Sequence, residues 1–353
     1  MVREEIPGAL VHFVVPGHAP FAQAFGLADK ATGVPMTLDT HFRIGSLTKT
    51  FVGVLILQLV DQGALTLDDT LDTWGFALPN ANQITIRHLL SMSSGLVNYT
   101  DTDGYAEFIS ADPTATLTID AVLALAAAEP LFEPGVMYAY SNTNYILLGL
   151  IAEAETGQDL ASALRDRVFA PVGLLHTGFA GPIPSPYAHG YGNSDPALPP
   201  ELEAQLAATP VVAQMATPPA ELPVDADGHF DATAFDTGWA WAAGEAWSTV
   251  GDVAIWLAAL VSGATLSPGL AASRFDWVLV NPDQPEIGGY GLGLANHAGW
   301  LGHNGAIPGY SSMMSMDPET GLAIVVLANL YPGTQAAWPP SNQIADAVLA
   351  AAG

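Results

Sequence analysis

The chain has 353 residues, of which half are hydrophobic, and this composition predicts a globular protein with two packed lobes. Cysteine is absent, which excludes disulfides, thiolate chemistry and cysteine-ligated metals. Eight Lys and Arg face 35 Asp and Glu, and the net charge of -27 would repel a polyanion, so we expect no nucleic-acid partner. The charge favours solubility or salt adaptation, with steering of cationic substrates as the alternative.

The apolar stretches of the sequence are short. Phe51–Val60, Tyr145–Ala152 and Leu322–Leu330 are the longest, and none approaches the ~20 residues that a transmembrane helix needs. The first residues, MVREEIPGAL, do not form a basic-then-apolar leader. We therefore expect a soluble protein without a membrane span, secreted or periplasmic if a leader has been removed and cytoplasmic otherwise.

The first half of the chain predicts a hairpin followed by helices. Ala9–Val15 and Phe21–Ala28 are apolar and are joined by a turn rich in Pro and Gly, which is typical of a β-hairpin. Phe42–Gly45 leads into the apolar pattern Thr48–Gln62, which predicts a helix that ends at Gly63. Further helices are predicted over Ile84–Leu90, Ile119–Ala128 and Tyr145–Glu155.

The second half begins with a proline-rich excursion over residues 181–223. A long segment of this kind is either a plain surface insertion or a cover over an active site. Asp225-Ala-Asp-Gly228 looks like part of a calcium loop, but Pro223 occupies the first ligand position, so we interpret it as a turn. Beyond it we predict strands over Tyr290–Leu294, Ser311–Met316 and Leu322–Leu330, and helices over Val253–Ser262 and Gln343–Ala351.

Strands at both chain ends and helices between them indicate the fold class. The strands follow one another through turns without helical crossovers, which favours an antiparallel sheet. We predict an α/β (α+β) fold, in which residues 1–45 and 245–353 form a sheet lobe flanked by helices and residues 46–244 form an inserted, mostly helical lobe. The active site is expected in the cleft between the two lobes.

Ser46-Leu-Thr-Lys49 is the first motif that carries chemistry. Ser46 precedes the predicted helix, where free backbone N–H groups can bind an oxyanion, and Lys49 lies one helical turn later on the same face. A buried lysine loses stabilisation of its charge and can act as the base that a serine nucleophile requires. Taken alone, the motif is weak and is more typical of a helix-capping serine and a solvated lysine.

Two further clusters follow. Tyr140-Ser-Asn142 precedes a predicted helix; Tyr140 can relay a proton and Asn142 can bind a substrate amide, although a core tyrosine and a helix cap would give the same pattern. His303-Asn304-Gly305-Ala306 lies beside the predicted strand Ser311–Met316, where a glycine lets a substrate approach the strand edge, although a lone His-x-Gly is also typical of a turn.

Together, Ser-x-x-Lys, Tyr-Ser-Asn and His-x-Gly in this order resemble the penicillin-recognising serine enzymes. This superfamily contains class C β-lactamases, DD-carboxypeptidases, D-aminopeptidases, D-amino-acid amidases and β-lactamase-like esterases. The resemblance extends over nearly the whole chain, and it implies a β-lactamase/DD-peptidase-like fold without a cofactor or a metal. The segments that carry it include Phe42–Lys49, Leu57–Gly63, Ile84–Gly95, Tyr140–Tyr145 and Gly289–Leu294.

The resemblance implies a role for each motif residue. Ser46 is expected to be the acylated nucleophile, Lys49 its base and Tyr140 the group that passes a proton to the leaving group and activates water. Asn142 is expected to bind the amide on the acyl side. The N–H groups of Ser46 and Ala306 are expected to form the oxyanion hole.

The remaining implied substrate-binding residues lie on the opposite wall of the cleft. His303 occupies the position of a lysine in many relatives, and Asn304, Gly305 and Ala306 follow it along the strand. Trp239, in Gly238-Trp-Ala-Trp, resembles an aromatic residue that lines the cleft, and simple core packing is the alternative for it.

The chain departs from the carboxypeptidases of this family where they bind a free carboxylate. They place an Arg directly after Gly-Tyr-Gly-Leu-Gly-Leu, and this chain has Ala295; they place a Thr where this chain has Ala306. A bidentate Arg clamp is difficult to replace. Met92 also replaces a common family His. We therefore expect poor cleavage of peptides with a free C-terminal carboxylate.

These observations predict a serine hydrolase that acts through an acyl-enzyme on a small molecule or peptide. The preferred substrate is a small amide or peptide with a D-configured acyl residue, as in D-aminopeptidases, D-amidases and DD-peptidases. A carboxylesterase for short acyl esters, a β-lactamase and a non-catalytic penicillin-binding-like protein are the alternatives, in that order. Glu107 is the candidate receptor for a substrate ammonium group, with a solvated helix-face carboxylate as the alternative.

Overall fold

The structure of the protein, a computed structural model, describes residues 6–194, 222–332 and 339–352. Its strands are short at the middle of the chain and longer towards both ends. In chain order they are β1 Gly8–Val14, β2 Phe21–Asp29, β3 Val34–Pro35, β4 Phe42–Arg43, β5 Gly178–Phe179, β6 Tyr191–Asn193, β7 His229–Asp231, β8 Ala246–Ser248, β9 Val278–Leu279, β10 Gly288–Tyr290, β11 Ala295–His297, β12 Trp300–Ile307, β13 Tyr310–Met316 and β14 Ala323–Ala328.

Nine strands form one antiparallel sheet in the order β3-β2-β1-β14-β13-β12-β11-β10-β9. The two chain ends meet where β1 pairs with β14, with Ala9 opposite Ala328. The fold class predicted from the sequence, a mixed fold with an antiparallel sheet built from both chain ends, is confirmed. Two smaller sheets have the orders β4-β8-β5 and β6-β7.

The described helices are concentrated between the two groups of sheet strands. They are α1 Thr48–Asp61, α2 Ile86–Leu90, α3 Asp103–Ala111, α4 Ile119–Ala126, α5 Asn142–Thr156, α6 Leu160–Leu164, α7 Ala170–Val172, α8 Val250–Ser262, α9 Pro268–Ser273 and α10 Pro340–Ala352. Within the described parts of the chain, none of them is long and apolar enough to cross a membrane.

Alternation along β14 explains how the sheet is covered on both faces. Successive side chains of a strand point to opposite faces. Ile324 and Val326 pack with the C-terminal helix α10, whereas Val325 and Leu327 face the larger core that contains α8. A strand buried on both faces is apolar throughout, which is why its sequence could be recognised.

Helix α1 lies at the centre of the larger core. Its side chains from Thr48 to Leu57 are buried on every side, so it is not amphipathic like a surface helix. Thr48 and Thr50 fit this environment because their hydroxyl groups donate to the carbonyl oxygens of Gly45 and Leu47, each at 2.7 Å. A rigid, fully packed helix thus begins directly after the candidate nucleophile.

The strand prediction was wrong in detail around residue 290. Of the predicted strand Tyr290–Leu294, only Tyr290 lies in a strand, and the chain then turns, with Gly291 N–H donating to Leu294 O at 2.9 Å. Strands β11 and β12 were not predicted. The three glycines at 299, 302 and 305 interrupt the apolar alternation that identifies a strand.

Two predictions about organisation remain predictions. The lobe boundaries, 1–45 with 245–353 against 46–244, are crossed by the small sheet, because β5 of the middle segment pairs with β8. The proline-rich excursion over 181–223 lies largely outside the described residues, since 195–221 are not described. Before and after that gap, β6 and β7 pair with each other.

Candidate active site

Ser46 lies in a 3-10 turn, Gly45–Leu47, that leads directly into α1. Gly45 makes this turn possible, because its φ of +52° lies in the left-handed region. A Cβ at Gly45 would also lie 2.8 Å from the backbone N of Ala306. The turn therefore brings Ser46 against β12 as closely as the backbones allow.

Lys49 lies one turn further along α1 and is completely buried. Its Nζ is 3.0 Å from Ser46 Oγ, and it donates to Asn142 Oδ1 at 2.7 Å and to the carbonyl oxygen of Ala243 at 2.6 Å. None of these three partners of Lys49 is a carboxylate. Burial lowers the pKa of Lys49 well below its usual value, which favours the neutral amine.

The three contacts of Lys49 can be made by an ammonium group and also by a neutral amine, the form that burial favours. Two N–H groups are used by the oxygens of Asn142 and Ala243, which can only accept here. The nitrogen lone pair is then left to point at Ser46, whose hydroxyl can donate to it. Lys49 is therefore placed to take a proton from Ser46 Oγ.

Tyr140 contacts the same serine from the other side, with its hydroxyl 2.9 Å from Ser46 Oγ. The segment that carries it is attached to the loop after α2, because Ala139 N–H donates to Met92 O at 2.9 Å and Ser141 N–H to the Met92 sulfur at 3.5 Å. Burial raises the pKa of Tyr140, against the smaller opposite effect of its bond to Ser46. Its phenol therefore stays protonated and can donate.

Asn142 is the first residue of α5 and is held at three points. Its backbone N–H donates to Asn98 Oδ1 at 2.9 Å, its Oδ1 accepts from Lys49, and its Nδ2 donates to Thr100 Oγ1 at 3.3 Å. The bond to Thr100 is long for a hydrogen bond. Nδ2 is thus the part of Asn142 best placed to exchange its partner for a substrate carbonyl.

The N–H group of Ala306 faces the cleft because of the register of β12. A two-residue loop joins β12 to β13, with Ile307 opposite Tyr310, so this pair exchanges hydrogen bonds and the next pair, Ala306 and Ser311, does not. The N–H of Ala306 therefore points away from β13. Since β11 pairs with β12 only as far as Gly302, that side of Ala306 is open towards Ser46.

Gly305 permits the close approach of β12 to the nucleophile. A Cβ at this position would clash with the carbonyl oxygen of Ile44 and with the hydroxyl of Ser312, which itself donates to Ile44 O at 2.7 Å. A larger residue would push β12 away from the turn that carries Ser46. Gly305, which the sequence predicted to let a substrate approach the strand edge, thus also allows β12 to pack closely against the turn that carries Ser46.

His303 is buried in β12 and uses both ring nitrogens. Its Nδ1 contacts the carbonyl oxygen of Asn304, which can only accept, so Nδ1 carries the proton and Nε2 accepts from the hydroxyl of Tyr290 at 2.9 Å. Burial, together with the nearby Lys49, lowers the pKa of His303 to about 3. The residue is therefore neutral and supplies no positive charge to the cleft.

The cleft at Ser46 has a volume of about 420 Å³. It brings together most of the predicted site residues, while His303 lies just behind its wall. Trp239 lines the cleft but is only 5% exposed, and its ring packs edge-on against Tyr105 at 5.2 Å. The predicted residues in the lining are Ser46, Tyr140, Asn142, Trp239, Asn304, Gly305 and Ala306.

Several lining residues were not identified from the sequence. They are Asn98, Thr100, Asp101, Ala240, Ala243, Gly244, Ile307 and Tyr331. Of the described residues that line this cleft, Asp101 is the only one with a charged side chain. Its side chain is accessible to solvent, yet partial burial in the concave wall raises the pKa of Asp101, opposed by hydrogen bonds from Asn98 and Thr100.

Glu107, the carboxylate proposed from the sequence as an ammonium receptor, lies elsewhere. It is exposed on α3 and does not line the cleft. Asp101 lies in the short 3-10 turn Tyr99–Asp101 just before that helix. The motif Asn98-Tyr-Thr-Asp101 contains no signal that could have singled it out.

A second cluster of titratable groups lies away from the cleft. Asp225, Asp227 and His229 have ligand atoms close enough to bind one metal ion. The amine of Lys30 already lies among them, 2.9 Å from Asp227 Oδ2 and 2.8 Å from His229 Nδ1. The lysine supplies the positive charge that a cation would bring, which agrees with the interpretation of this segment as a structural turn.

The geometry of a serine next to a buried lysine and a tyrosine, between a helical region and a sheet edge, can be compared with known proteins. The family model described as Beta-lactamase matches residues 1–348. This chain belongs to the beta-lactamase family. Members of this family, such as the D-aminopeptidases and D-amidases, are serine hydrolases, and the resemblance inferred from the sequence motifs is thereby confirmed.

Individual relatives are similar to parts of the chain. It is 34% identical over 176 residues to the D-aminopeptidase of Brucella anthropi (48% of this chain and 32% of that protein) and 32% identical over 209 residues to esterase EstB of Burkholderia gladioli (55% and 52%). The aligned region thus spans about half or less of these curated relatives.

A solved structure matches over nearly the full length of the chain. The D-amino acid amidase of Ochrobactrum anthropi SV3, crystallised with L-phenylalanine amide, superposes with a TM-score of 0.80 at 29% identity. The match covers 98% of this chain and 92% of the amidase. The chain is thus a beta-lactamase-fold hydrolase.

Proposed function

We propose that this β-lactamase-fold hydrolase cleaves small amides or short peptides whose acyl residue is D-configured and has a free α-amino group. The observation that carries the proposal is the position of Ser46 Oγ, 3.0 Å from the buried amine of Lys49 and 2.9 Å from the hydroxyl of Tyr140. The catalytic roles of these three residues are part of the proposal. It is supported on the substrate side by the D-aminopeptidase and the D-amino acid amidase among the relatives.

Acylation follows from the contacts of Ser46. Lys49 Nζ takes the proton of the Ser46 hydroxyl while Oγ attacks the substrate carbonyl carbon. The carbonyl oxygen becomes an oxyanion that the N–H groups of Ser46 and Ala306 can bind. As the C–N bond breaks, Tyr140 gives its proton to the leaving nitrogen and recovers one from Lys49. The products are a free amine and an ester on Ser46.

Deacylation uses the same groups in reverse. Water takes the position of the departed amine, and the proton it loses passes to Tyr140 and Lys49 while its oxygen attacks the ester carbon. The bond to Ser46 Oγ breaks, the serine recovers its proton and the free acid leaves. Apart from the attacking water, these steps use only groups of the chain itself.

Asp101 supports the part of the proposal that concerns the amino group. It contributes the only charged side chain among the described residues of the cleft wall. An ammonium group bound there would stabilise the charged form of a carboxylate whose pKa is raised in its absence. The amidase that resembles this chain was crystallised with phenylalanine and with its amide, which both contain an α-amino group.

An esterase is the second candidate function. None of the described residues that line the cleft is Lys or Arg, and Ala295 stands where the resemblance places an Arg clamp. Such a lining does not select against a neutral ester, and EstB is among the relatives. β-Lactam hydrolysis would require the same acyl-enzyme, and it is included in the test below.

The test combines a label with a substrate panel. A fluorophosphonate should add its mass to the peptide that contains Ser46, and Ser46→Ala should abolish both this label and turnover while the melting temperature stays close to that of the wild type. A label on the neighbouring hydroxyl of Thr48 would contradict the assignment.

The panel compares D- and L-phenylalanine amides, p-nitrophenyl acetate and nitrocefin at equal enzyme concentration. The proposal expects cleavage of the D-amide, with a higher kcat/KM for it than for the L-amide. Activity on p-nitrophenyl acetate with none on either amide would favour the esterase, and a preference for nitrocefin would favour the β-lactamase.

A further inference from the structure

A second pocket lies beside the cleft, at the ends of β10, β11 and β12, with a volume of about 260 Å³. We call it the side pocket; it is lined by Tyr138, Ile287, Ala295, Trp300, Asn304 and Met313, among others. Asn304 lines both the side pocket and the cleft that contains Ser46. The two cavities therefore share a wall at β12.

The lining of the side pocket favours uncharged, apolar ligands. Tyr138, Ile287, Trp300 and Met313 supply aromatic and aliphatic surface. Of the described residues that line it, none is Lys or Arg, and Asp346 adds a negative charge. Two histidines line the pocket: His303, on the wall next to the cleft, is buried and neutral, and His297 is exposed on β11. A carboxylate on the side next to the cleft would therefore be desolvated without a cationic partner.

The size of the side pocket fits a small group. A cavity of about 150 Å³ lined by apolar side chains is enough to bind benzene. The side pocket is larger, and the side chain of Ala295 ends at Cβ, so it leaves the space beside β11 open. A linear chain of about four to six carbons or one aromatic ring would fit.

The candidate proton donor lies between Ser46 and the side pocket. Tyr140 is 2.9 Å from Ser46 Oγ, and its ring centroid lies 6.3 Å from that of His303 and 6.5 Å from that of Tyr290. Both His303 and Tyr290 line the side pocket. The leaving group has to meet the Tyr140 hydroxyl to be protonated, so it departs on this side of the serine.

The geometry of β12 gives the distance from the candidate oxyanion donor to the side pocket. Ala306 N–H, the candidate oxyanion donor, and Asn304, on the shared wall, are two residues apart on β12, which corresponds to about 7 Å. An acyl residue anchored at Asp101 and Asn142 occupies the opposite wall. The other substituent of the reacting carbonyl then extends along β12 towards Asn304, and four or five heavy atoms reach the side pocket.

We infer that the side pocket is the leaving-group subsite and that it binds an apolar, uncharged amine or alcohol. This inference rests on the proposed acyl-enzyme at Ser46. It names the leaving-group side of the substrate, which the proposed function leaves open.

The test is a homologous series of substrates with one acyl group. The methyl-, propyl- and pentylamides of a D-amino acid have leaving amines of nearly equal basicity, so differences in kcat/KM report binding of the alkyl chain. We expect kcat/KM to rise by up to about fourfold per methylene, the effect of a fully buried CH₂ group. The corresponding amide of β-alanine, which places a carboxylate at the end of a short chain, should react more slowly than the propylamide.

Two variants fill the side pocket from different strands. Ala295→Leu and Met313→Trp should each bring the pentyl-to-methyl ratio of kcat/KM close to one. The control is Val34→Leu on β3, which is 49% exposed at the opposite edge of the sheet and should keep the wild-type ratio. A flat wild-type series, or an unchanged ratio in both pocket variants, overturns the inference.

The same series is measured with alkyl acetates, which need the Ser46 chemistry but no D-amino acid. A rising slope with the acetates and no cleavage of the amides would overturn the proposed acyl specificity and support the leaving-group subsite. A flat slope in a cleaved amide series overturns the subsite and leaves the proposed function intact, whereas a flat acetate slope without cleavage of the amides overturns the subsite and the acyl specificity. No cleavage in either series overturns both.

Discussion

Replacing Asp101 with Asn tests where the substrate ammonium binds. The substitution keeps the shape of the side chain and removes its charge. Asp101 is the one charged side chain among the described residues of the cleft wall, so no neighbouring carboxylate in that wall can take over its role. We expect Asp101→Asn to weaken cleavage of substrates with a free α-amino group and to leave their N-acetylated forms nearly unaffected.

The size of the effect follows from the exposure of the carboxylate. Two unit charges 4 Å apart attract each other by about 1 kcal/mol in bulk water and by about 4 kcal/mol at an effective dielectric constant of 20. Asp101 remains accessible to solvent, so screening keeps the value towards the lower limit. A loss of ~1–2 kcal/mol corresponds to about 5- to 30-fold in kcat/KM.

The assay measures kcat/KM for D-phenylalanine amide and N-acetyl-D-phenylalanine amide in both proteins. Glu107→Gln is the matched control, because it makes the same carboxylate-to-amide change on an exposed face of α3 outside the cleft. Equal losses on both substrates would assign Asp101 a structural role. A loss in Glu107→Gln but not in Asp101→Asn would restore the residue first proposed from the sequence.

Two further predictions concern titrating groups. Lys49→Ala and Tyr140→Phe should each slow fluorophosphonate labelling of Ser46 by orders of magnitude, and the double variant should be no slower, because the two act as a unit; additive losses would contradict this. Burial, opposed by Arg43, raises the pKa of Glu245 to about 7. The folded state then binds the extra proton, so this residue contributes stability near pH 4.5 that is lost as the pH rises to about 7, by at most about 3 kcal/mol. Denaturant unfolding at pH 5 and pH 8 should show a smaller decrease for Glu245→Gln than for the wild type, and an identical decrease would refute the assignment.

The parts of the fold that could be predicted are those with a regular apolar pattern. Strand β14 is apolar on successive residues and helix α5 ends at Gly157, so their positions agreed with expectation to within a few residues, as did that of β13. Strand β12 was missed because Gly302 and Gly305 replace side chains that a pattern needs, and β11, with the sequence Ala-Asn-His, is too short to show one. At Gly305 that replacement has a cause, since the strand backbone lies against the turn that carries Ser46.

The site could be predicted only where residues are close in sequence or form a motif. Ser46 and Lys49 share one helical turn, and their contact follows from the helix period. Asp101 reaches the cleft because the turn Tyr99–Asp101 packs across from β12, which is more than 200 residues away in sequence. Such a contact depends on tertiary structure, and no local pattern reports it.

The protonation of His303 could not be derived from the sequence either, although it decides the charge of the site. The position suggested a substrate-binding residue in place of a family lysine, and that role remains a prediction. In the structure its ring is buried, with Nδ1 donating to Asn304 O and Nε2 accepting from Tyr290, and a pKa of about 3 keeps it neutral.

The neutral His303, together with Ala295 in place of an arginine, affects which leaving groups the cleft can accept. An anionic leaving group approaching β12 would meet neither a protonated imidazole nor an arginine, and the net charge of -27 would repel it further. An ammonium group on the acyl side meets Asp101 instead. Under the proposed function, the two walls of the cleft would therefore discriminate in the same direction, in favour of a substrate that is positive at its acyl end and uncharged at its leaving end.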